Sequence, residues 1–295
     1  MKGRLAMSKF SPCLWFDGKV EEAADFYVDA FEQGAIKQTD YYVDSEHQPK
    51  GSILTISLTL AGQEFILLNG GPEFKFTPAI SFYVECETEE QIDQLWKKLS
   101  QEGNVLMEYG EYPFSPKFGW VADRYGVSWQ LVLAGRPQSI APAFLFTKEQ
   151  SGKAEEAMNH WISIFGDGNV EYVQKNPDGT ISQALFTMHG QPFRVMDGGA
   201  VDHDFTFTMA TSFYVYCKDQ EEIDRLWDAV TAKGKEWPCG WMEDEYGVCW
   251  QTVTSDMEKL FDNSDPDRAY RVMQELYKMK KIDIAALRAA YEKKE

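Results

Sequence analysis

The chain lacks the features that would direct it to a membrane or to a polyanion. No apolar run approaches the roughly 18 residues that a membrane span needs, and the opening MKGRLAMSKF has no apolar stretch of the kind that marks a signal peptide. Basic residues are scarce: 29 Lys and Arg face 47 Asp and Glu, which gives a formal net charge of −18. That field repels phosphate backbones and anionic headgroups, so neither nucleic acid nor a membrane is an expected partner.

Cysteine and histidine are also sparse and poorly placed for chemistry. The five cysteines are odd in number and none forms a CxxC pair, which is typical of a reducing compartment and predicts a cytoplasmic protein. The four histidines share no spacing that forms a site: His47, His160, His189 and His203. No Ser-His-Asp or Cys-His arrangement can be argued from spacing, so we assign no catalytic residue.

What the sequence does contain is one long repeat. The phrase DRYGVSWQLV at 123–132 returns as DEYGVCWQTV at 244–253, and SFYVEC at 81–86 returns as SFYVYC at 212–217. The offset falls from 131 residues (212−81) to 121 (244−123), because about ten extra residues stand at 108–117 in the first copy. A period above about 100 residues indicates a duplicated domain, since solenoid repeats are about 20–50 residues long.

The repeat divides the chain into four predicted parts. Residues 8–134 and 138–254 are the two domains, residues 1–7 read as a leader or tag, and residues 255–295 form a helical tail. A chain of 295 residues gives each domain enough length for its own hydrophobic core.

Each domain reads as two βαβββ units. In the first unit, over residues 11–69, a strand is followed by a helix with one apolar face and then by three strand-like runs. The pattern restarts at AISFYVEC (79–86), where Thr88 and Gln91 form a capping box ahead of the second helix. The predicted class is α+β, with two tandem domains, each an eight-stranded sheet curled into a cup with its helices outside. The extra residues at 108–117 would lid only the cup of the first repeat.

Three longer motifs carry a family resemblance: WFDGKVEEAADFY at 15–27, LNGGPEFKFTPAISFYVEC at 68–86 and DRYGVSWQLV at 123–132. They resemble the PhnB-like proteins, or 3-demethylubiquinone-9 3-methyltransferase-like domains, of the vicinal oxygen chelate superfamily. That superfamily includes glyoxalases, bleomycin-resistance proteins and extradiol dioxygenases. The resemblance implies the cupped fold in duplicate, but it leaves the function open, because isomerases, dioxygenases, transferases and pure binders share the fold.

The resemblance also locates the positions of the superfamily's metal ligands. Metal enzymes of this kind place His, Glu or Gln on the first, fourth, fifth and eighth strands of a cup. On this sequence those positions are near Pro12, near Leu67, Ala79 and Gln130, and in the second repeat Pro142, about Val195, Ala210 and Gln251. Only the glutamines are ligand types, and a neutral amide alone cannot hold a divalent ion against water. We therefore expect no metal site and no cofactor.

Strand alternation assigns the side chains that line each cup. If Gln130 faces the cup, Ser128 does too and Trp129 lies in the core, and the same parity places Tyr83 and Glu85 in the cup. The predicted ligand-binding set has nine members: Tyr83, Glu85, Trp120, Ser128 and Gln130 in the cup of the first repeat, and Tyr214, Tyr216, Trp241 and Gln251 in the cup of the second repeat. Plainer alternatives stay open, since the glutamines can satisfy a buried polar network and the aromatic rings can simply pack.

Three classes of function are compatible with these features. The preferred hypothesis is a metal-independent small-molecule binder, because the metal ligands are missing and the cups are rich in aromatic residues. The alternative is a superfamily enzyme with atypical site residues, such as a Tyr83–Glu85 acid–base pair, acting as a lyase, isomerase, dioxygenase or methyltransferase. The third is a structural protein whose cups are filled by side chains. A homodimer is left open in each case.

The methyltransferase option meets a specific objection. A methyl-donor site of the Rossmann type needs a glycine-rich turn between a strand and a helix. The double glycines of this chain, at Asn69-Gly70-Gly71 and Asp197-Gly198-Gly199, precede extended segments instead. Methyl transfer is therefore disfavoured.

Overall fold

The computed structural model describes residues 8–44, 48–199, 201–261 and 265–293, and Glu258 only in its backbone. The predicted leader at 1–7 and His47 lie outside these ranges.

Four βαβββ modules follow one another along the chain, which confirms the predicted α+β class. Module 1 has β1 (Phe10–Phe16), α1 (Val20–Ala30), β2 (Ala35–Tyr41), β3 (Ile53–Leu60) and β4 (Gln63–Asn69). Module 2 has β5 (Ile80–Cys86), α2 (Glu89–Ser100), β6 (Asn104–Tyr112), β7 (Ser115–Ala122) and β8 (Ser128–Leu133). Module 3 has β9 (Ser139–Phe146), α3 (Ala154–Phe165), β10 (Gly168–Lys175), β11 (Ile181–Met188) and β12 (Gln191–Asp197). Module 4 has β13 (Thr211–Cys217), α4 (Gln220–Thr231), β14 (Lys235–Glu236), β15 (Trp241–Glu243) and β16 (Cys249–Thr254). The tail has α5 (Met257–Leu260), α6 (Pro266–Leu276) and α7 (Ile284–Glu292).

Capping boxes start the second helix of each repeat. The Gln91 amide donates to Thr88 Oγ1 (3.2 Å), which confirms Thr88 as the N-cap, and the return bond to Gln91 Oε1 (2.7 Å) comes from the Glu87 amide, one residue before the N-cap. In α4 the Glu222 amide donates to Asp219 Oδ1 (2.9 Å). Both repeats therefore fix the start of this helix, and the strand before it, in the same way.

The modules assemble into two eight-stranded sheets. The first sheet has the order β14-β15-β16-β13-β1-β4-β3-β2, and the second has the order β10-β11-β12-β9-β5-β8-β7-β6. Module 1 is thus joined to module 4 through the antiparallel pair β1–β13, and module 2 to module 3 through β5–β9. The structure differs here from the prediction that each repeat closes its own cup, because each sheet takes one module from each repeat.

The connections between modules explain this exchange. Only residues 134–138 separate β8 from β9, so β9 pairs with β5, the strand next to β8. Consecutive elements tend to be neighbours because short connections cannot reach further. The links at 70–79 and 198–210 are longer and cross between the two sheets. Two repeated modules carry the same strand pattern whichever partner they take, so the repeat alone cannot distinguish the two pairings.

The hydrophobic cores follow the repeats although the sheets do not. One buried cluster draws on modules 1 and 2, with Trp129 and Tyr27 fully buried at its centre. The other draws mainly on modules 3 and 4 and the tail, with Trp161 and Trp250 in the matching positions. The helices of each repeat lie on these cores, which leaves the opposite, concave face of each sheet free to form a cup.

The repeated phrase DxYGVxW builds a buried hydrogen-bond centre in each core. Asp123 accepts bonds from Tyr27 Oη (2.8 Å), from Trp129 Nε1 (2.8 Å) and from the amides of Tyr125 and Val127. Desolvation raises the pKa of Asp123 to about 6, although these four donors pull it the other way. The glycine of the phrase has φ of +91° at Gly126, a backbone conformation that side chains other than glycine rarely adopt.

The second copy of this centre has the same geometry. Asp244 accepts from Trp161 Nε1 (2.8 Å), Trp250 Nε1 (2.9 Å) and two backbone amides, and burial raises its pKa to about 6 as well. The phrase therefore recurs mainly because each core needs an aspartate that ties the turn to two indole or phenol donors. The Trp-Gln end of the phrase stands out in the sequence, but in the structure the aspartate is the centre of these hydrogen bonds.

The tail forms helices as predicted and packs on the first sheet. Asp265 caps α6 by accepting from the Arg268 amide (3.1 Å), with Pro266 in the first turn. The amides of Cys239 and Gly240 donate to the carbonyls of Met279 (2.9 Å) and Lys280 (2.7 Å), which joins the tail to the β14–β15 connection. Within the described part of the chain, no helix has the length and apolarity to cross a membrane.

Candidate ligand-binding site

The concave face of the first sheet bounds a cavity of about 630 Å³. We call this concave face the first cup and that of the second sheet the second cup. Aromatic rings form much of the cavity wall: Trp15 from β1, Phe74 from the β4–β5 link, Tyr214 from β13 and Trp241 from β15. The rings of Trp15 and Trp241 meet edge to face at 5.9 Å, and Phe74 packs against Trp15 at 5.0 Å. A planar apolar molecule is the kind of ligand that such a wall accommodates.

The tail closes one side of the cavity. Met257 and Phe261 at α5, and Met273, Leu276 and Tyr277 at α6, complete its lining. In module 4 the β14–β15 strands are only two and three residues long, whereas β6 and β7 of module 2 have nine and eight. The missing hairpin leaves room beside β15, and the tail occupies it.

The charge of the cavity lining has one sign. Asp40, Glu64 and Glu73 are its ionisable carboxylates, and no Lys, Arg or His is among the described residues that line it. Glu64 is 8% exposed and accepts from Ser11 Oγ (2.8 Å) and Tyr216 Oη (3.4 Å). Lys37 Nζ lies 3.3 Å from Glu64 at the sheet edge, but half of the lysine side chain is exposed to solvent.

The two glutamines of the repeated phrase face the cups but are already hydrogen-bonded. Gln251 Nε2 donates to Ser212 Oγ (2.8 Å), and Gln130 Nε2 donates to Ser81 Oγ (2.8 Å). The first bond joins β16 to its neighbour β13, and the second joins β8 to its neighbour β5. Gln251 also lines the cavity, so the same side chain takes part in a buried polar network and borders the ligand space.

The second cup is filled by its own side chains. Tyr83, Phe118 and Val132 are buried together there, with Trp120 and Met107 packed against them. Trp120 Nε1 donates to Ser128 Oγ (2.7 Å), so this indole is fully used inside the protein. Trp241 takes the same place in the first cup, but position 249 carries Cys in place of Ser128, and among the described residues the Trp241 indole has no hydrogen-bond acceptor.

Arg194 occupies the middle of the second cup. Its guanidinium carbon lies 3.9 Å from the centre of the Tyr83 ring, a cation–π contact. Its Nη2 is 3.2 Å from Glu85 Oε1, and its Nη1 donates to Tyr172 Oη (2.7 Å). Arg136 and Ser139 also bind Glu85, at 2.7 and 3.1 Å. Burial raises the pKa of Tyr83 although the nearby guanidinium lowers it.

The nine predicted site residues are therefore divided between two different environments. Tyr83, Glu85, Trp120, Ser128 and Gln130 lie in the second cup and contact one another or Arg194. The remaining four, Tyr214, Tyr216, Trp241 and Gln251, line the cavity of the first cup. Their role in ligand binding stays a prediction.

Three features of this region went unrecognised in the sequence: Glu64, Arg194 and the closing tail. A signal for the first two exists in the aligned strands QEFILLN (63–69) and QPFRVMD (191–197). Glu64 stands opposite Pro192 and Ile66 opposite Arg194 in that alignment, and both are concave positions. The repeat thus differs in charge and size at the places that face the cups.

The ten-residue insertion lies in the β6–β7 hairpin. Tyr112, Phe114 and Phe118 form an aromatic cluster there, with ring centres 5.0 to 5.5 Å apart. Tyr112 and Phe118 also pack against the buried cluster of the second cup. The hairpin contributes to filling this cup, and its predicted role as a lid stays untested.

The positions that correspond to the superfamily's metal ligands carry side chains that do not bind metal ions, apart from the two glutamines. Leu67 and Val195 are fully buried in the two hydrophobic cores, on the helix side of their sheets, as is Ala79. Pro12 pairs with Phe213 and Pro142 pairs with Phe82, and both phenylalanines are buried core residues. Cys13 faces the first cup, but burial raises the pKa of its thiol to about 12, so it stays protonated. Over the described ranges, no three His, Cys, Asp or Glu side chains come together as a metal-binding group.

Comparison with known proteins agrees with the fold and the repeat. The profile of the 3-demethylubiquinone-9 3-methyltransferase family matches residues 8–132 and 138–253. A PhnB protein of Bacillus cereus is 47% identical, over 43% of this chain and 100% of its own, with a TM-score of 0.41. Glyoxalase I of Zea mays is 11% identical, over 85% of this chain and 96% of its own, with a TM-score of 0.58. No match was found among curated proteins.

These matches support two separate conclusions, one about the fold and one about the family. The glyoxalase likeness, at 11% identity, shows that the paired cups share its architecture and carries nothing about chemistry. The family profile covers both repeats, and its two segments end within two residues of the predicted domain boundaries. The chain belongs to the 3-demethylubiquinone-9 3-methyltransferase family, and it carries two copies of the family's domain.

Proposed function

We propose that this protein binds one small organic molecule per chain, in the first cup, without a metal ion. The observation that carries the proposal is the cavity of about 630 Å³ between the first sheet and the tail. Ligand pockets of proteins measure roughly 300–1,000 Å³ and combine apolar walls with a few polar groups. The aromatic wall and the convergent Glu64, Tyr216 and Gln251 side chains match that description.

Metal independence follows from the side chains at the cup floor. The first cup offers a neutral amide, a protonated thiol and carboxylates that already accept hydrogen bonds from neighbours. A site for a divalent ion needs several converging nitrogen or oxygen donors with free lone pairs. The donor set of this cup does not fit the superfamily's metal, and we derive no step through one.

The alternative functions receive less support. The Tyr83–Glu85 pair considered as an acid–base couple is engaged by Arg194, which lies on the ring of Tyr83 and bonds Glu85. The double glycines begin extended links, and Asn69 and Asp197 beside them serve turns: Asn69 accepts from the Gly18 amide (3.1 Å), and Asp197 from the Gly152 amide (2.8 Å). The third hypothesis, a structural protein whose cups are filled by side chains, agrees with the packed cluster of the second cup but not with the cavity of the first.

The test uses N-phenyl-1-naphthylamine, a neutral probe whose fluorescence rises in apolar surroundings. We expect the intact chain to bind one probe molecule. The Ile66→Arg variant should lose at least 90% of this binding, because its side chain reaches the space over Tyr214, as Arg194 does over Tyr83. The Ile66→Met variant is the matched control and should keep the probe.

Circular dichroism melting curves of both variants establish that they remain folded. Two probes per chain, or undiminished binding by a folded Ile66→Arg variant, would overturn the proposal, since the probe would then occupy a different place.

A further inference from the structure

The second cup shows what the concave surface of this fold holds when it is occupied. The Arg194 side chain starts on β12, passes over β9 and ends on the Tyr83 ring of β5. It can cross β9 because Ala141 and Ala143 are small. At its end the cation meets an aromatic face, a carboxylate and a phenol oxygen, all within hydrogen-bonding or cation–π distance.

The first cup has similar surroundings to those of the Arg194 guanidinium, but it has no arginine at the matching position. Tyr214 stands where Tyr83 does, and Ser11 and Cys13 of β1, each one heavy atom larger than alanine, take the places of the two alanines. The position of Arg194 is taken by Ile66, which pairs with Cys13 as Arg194 pairs with Ala143. Isoleucine is too short to cover Tyr214, so the space over that ring belongs to the cavity.

Two further positions widen the first cup. Tyr172, which bonds Arg194, corresponds to Gln38, since both lie on the edge strand opposite the third strand of their module. Leu185 corresponds to Ser57 by the same pairing. The smaller and polar side chains of the first cup leave a volume in which a ligand group can reach the place of the guanidinium.

The charges around this volume favour a cation. Glu64 lies on β4 and accepts from Tyr216 Oη, and Asp40 lies on the edge strand β2, two strands away. No Lys, Arg or His is among the described residues that line the cavity, and Lys37, half of whose side chain is exposed, reaches Glu64 from the sheet edge. A ligand cation over Tyr214 would gain both the ring face and the carboxylate field, in a cavity that excludes much of the water.

We propose that the ligand of the first cup is an organic cation with a flat apolar body, whose guanidinium, amidinium or alkylammonium group lies over Tyr214 as Arg194 lies over Tyr83. This inference rests on the proposed function of the first cup and adds the chemical class of its ligand. The apolar body then packs between Trp15, Trp241 and Phe74, and a hydrogen-bond acceptor on it can meet the unused indole of Trp241.

The experiment compares three probes with one ring system and different charge. They are (2-naphthylmethyl)trimethylammonium, 2-naphthylmethanol and 2-naphthoate, titrated calorimetrically into the full chain at pH 7.5. We expect the cation to bind at least tenfold more tightly than the neutral alcohol, and the anion to bind more weakly than both.

Two charge-removing variants locate the effect. Glu64→Gln should lower the affinity for the cationic probe about fivefold and leave that for the alcohol unchanged. Asp29→Asn removes one charge from a side chain that is 81% exposed and outside the cavity, and it should change neither affinity. Equal effects of the two variants on the cation would overturn the assigned position, because the attraction would then come from the net charge of −18.

The remaining outcomes separate the ligand class from the function itself. If the alcohol or the anion binds as tightly as the cation, the charge proposal is overturned while binding in the first cup stands. If none of the three probes binds, and N-phenyl-1-naphthylamine does not bind either, both proposals are overturned together.

Discussion

The two cups of this molecule have the same strands and repeated sequence, yet one encloses a cavity and the other contains a packed cluster. Their floors agree: each has a tyrosine on a central strand and a glutamine bonded to a serine on the adjacent strand. They differ at Ile66, Ser57 and Gln38 against Arg194, Leu185 and Tyr172. Duplication thus supplied two equal concave surfaces, and a few substitutions decided which of them remained available to a ligand.

Closure of the cups differs as well. The long β6–β7 hairpin folds aromatic side chains onto the second cup, whereas the tail covers the first. A hairpin is part of its sheet and fills the cup directly. The tail is joined to the β14–β15 connection by backbone hydrogen bonds at Cys239 and Gly240, and it covers the cavity without filling it. The comparison teaches that the site is defined as much by the element that covers it as by the sheet.

Opening the second cup should have the largest effect on binding. The triple variant Arg194→Ile, Tyr172→Gln and Leu185→Ser gives this cup the side chains of the first at these three positions. We expect the stoichiometry for N-phenyl-1-naphthylamine to rise from one to two per chain, because the central cation and its partner are removed. Glu85 keeps Arg136 as a partner at 2.7 Å, so no buried charge is left alone.

The single variant Tyr172→Gln is the control for this change and should keep a stoichiometry of one, since Arg194 still fills the cup. A triple variant that is folded but still binds one probe would contradict the comparison. The hairpin cluster around Phe118, and not the three exchanged positions, would then be what fills the second cup.

The two cores should respond equally where the two cups do not. In Asp123→Asn and Asp244→Asn, an amide nitrogen replaces one acceptor oxygen among four donors and leaves some of them unsatisfied. We expect each variant to lose about 2–4 kcal/mol of unfolding free energy at pH 7.5. Urea denaturation of both variants measures this loss. A difference above about 1 kcal/mol between the two losses would contradict the expectation that the two cores are equivalent.

The pH dependence of the same variants has a definite sign. Each aspartate has a folded pKa of about 6 against an ordinary value of 3.8, so the folded state takes up protons that the unfolded state does not. Its stabilising contribution is complete below pH 3.8 and is lost as pH rises through about 6. Each Asn variant should therefore cost about 1 kcal/mol more at pH 5.5 than at pH 7.5, both above the isoelectric point near 4.7. A smaller cost at pH 5.5 would contradict the raised pKa.

Strand parity in the sequence was sufficient to place Trp129 in a core and Gln130 on a concave face, because side chains alternate strictly along a strand. It could not show which module shares a sheet with which, since that depends on the lengths of links such as 134–138. Arg194 and Glu64 could not be placed in the same way, because β12 and β4 contain no part of the repeated phrase from which the parity was fixed. Only the folded chain shows that one is covered by Tyr83 and that the other borders a cavity.

The smallest expected effect concerns the two glutamines that end the repeated phrase. Gln130→Ala and Gln251→Ala each remove one buried hydrogen bond to a serine, so both should lower the unfolding free energy by about 1 kcal/mol. Only Gln251 borders the cavity, and only its variant should weaken binding of N-phenyl-1-naphthylamine, by about threefold. Fluorescence titration of the two variants side by side measures this contrast. Equal weakening by both would mean that the glutamines act through the stability of the shared fold, whereas weakening by Gln130→Ala alone would place the ligand in the second cup.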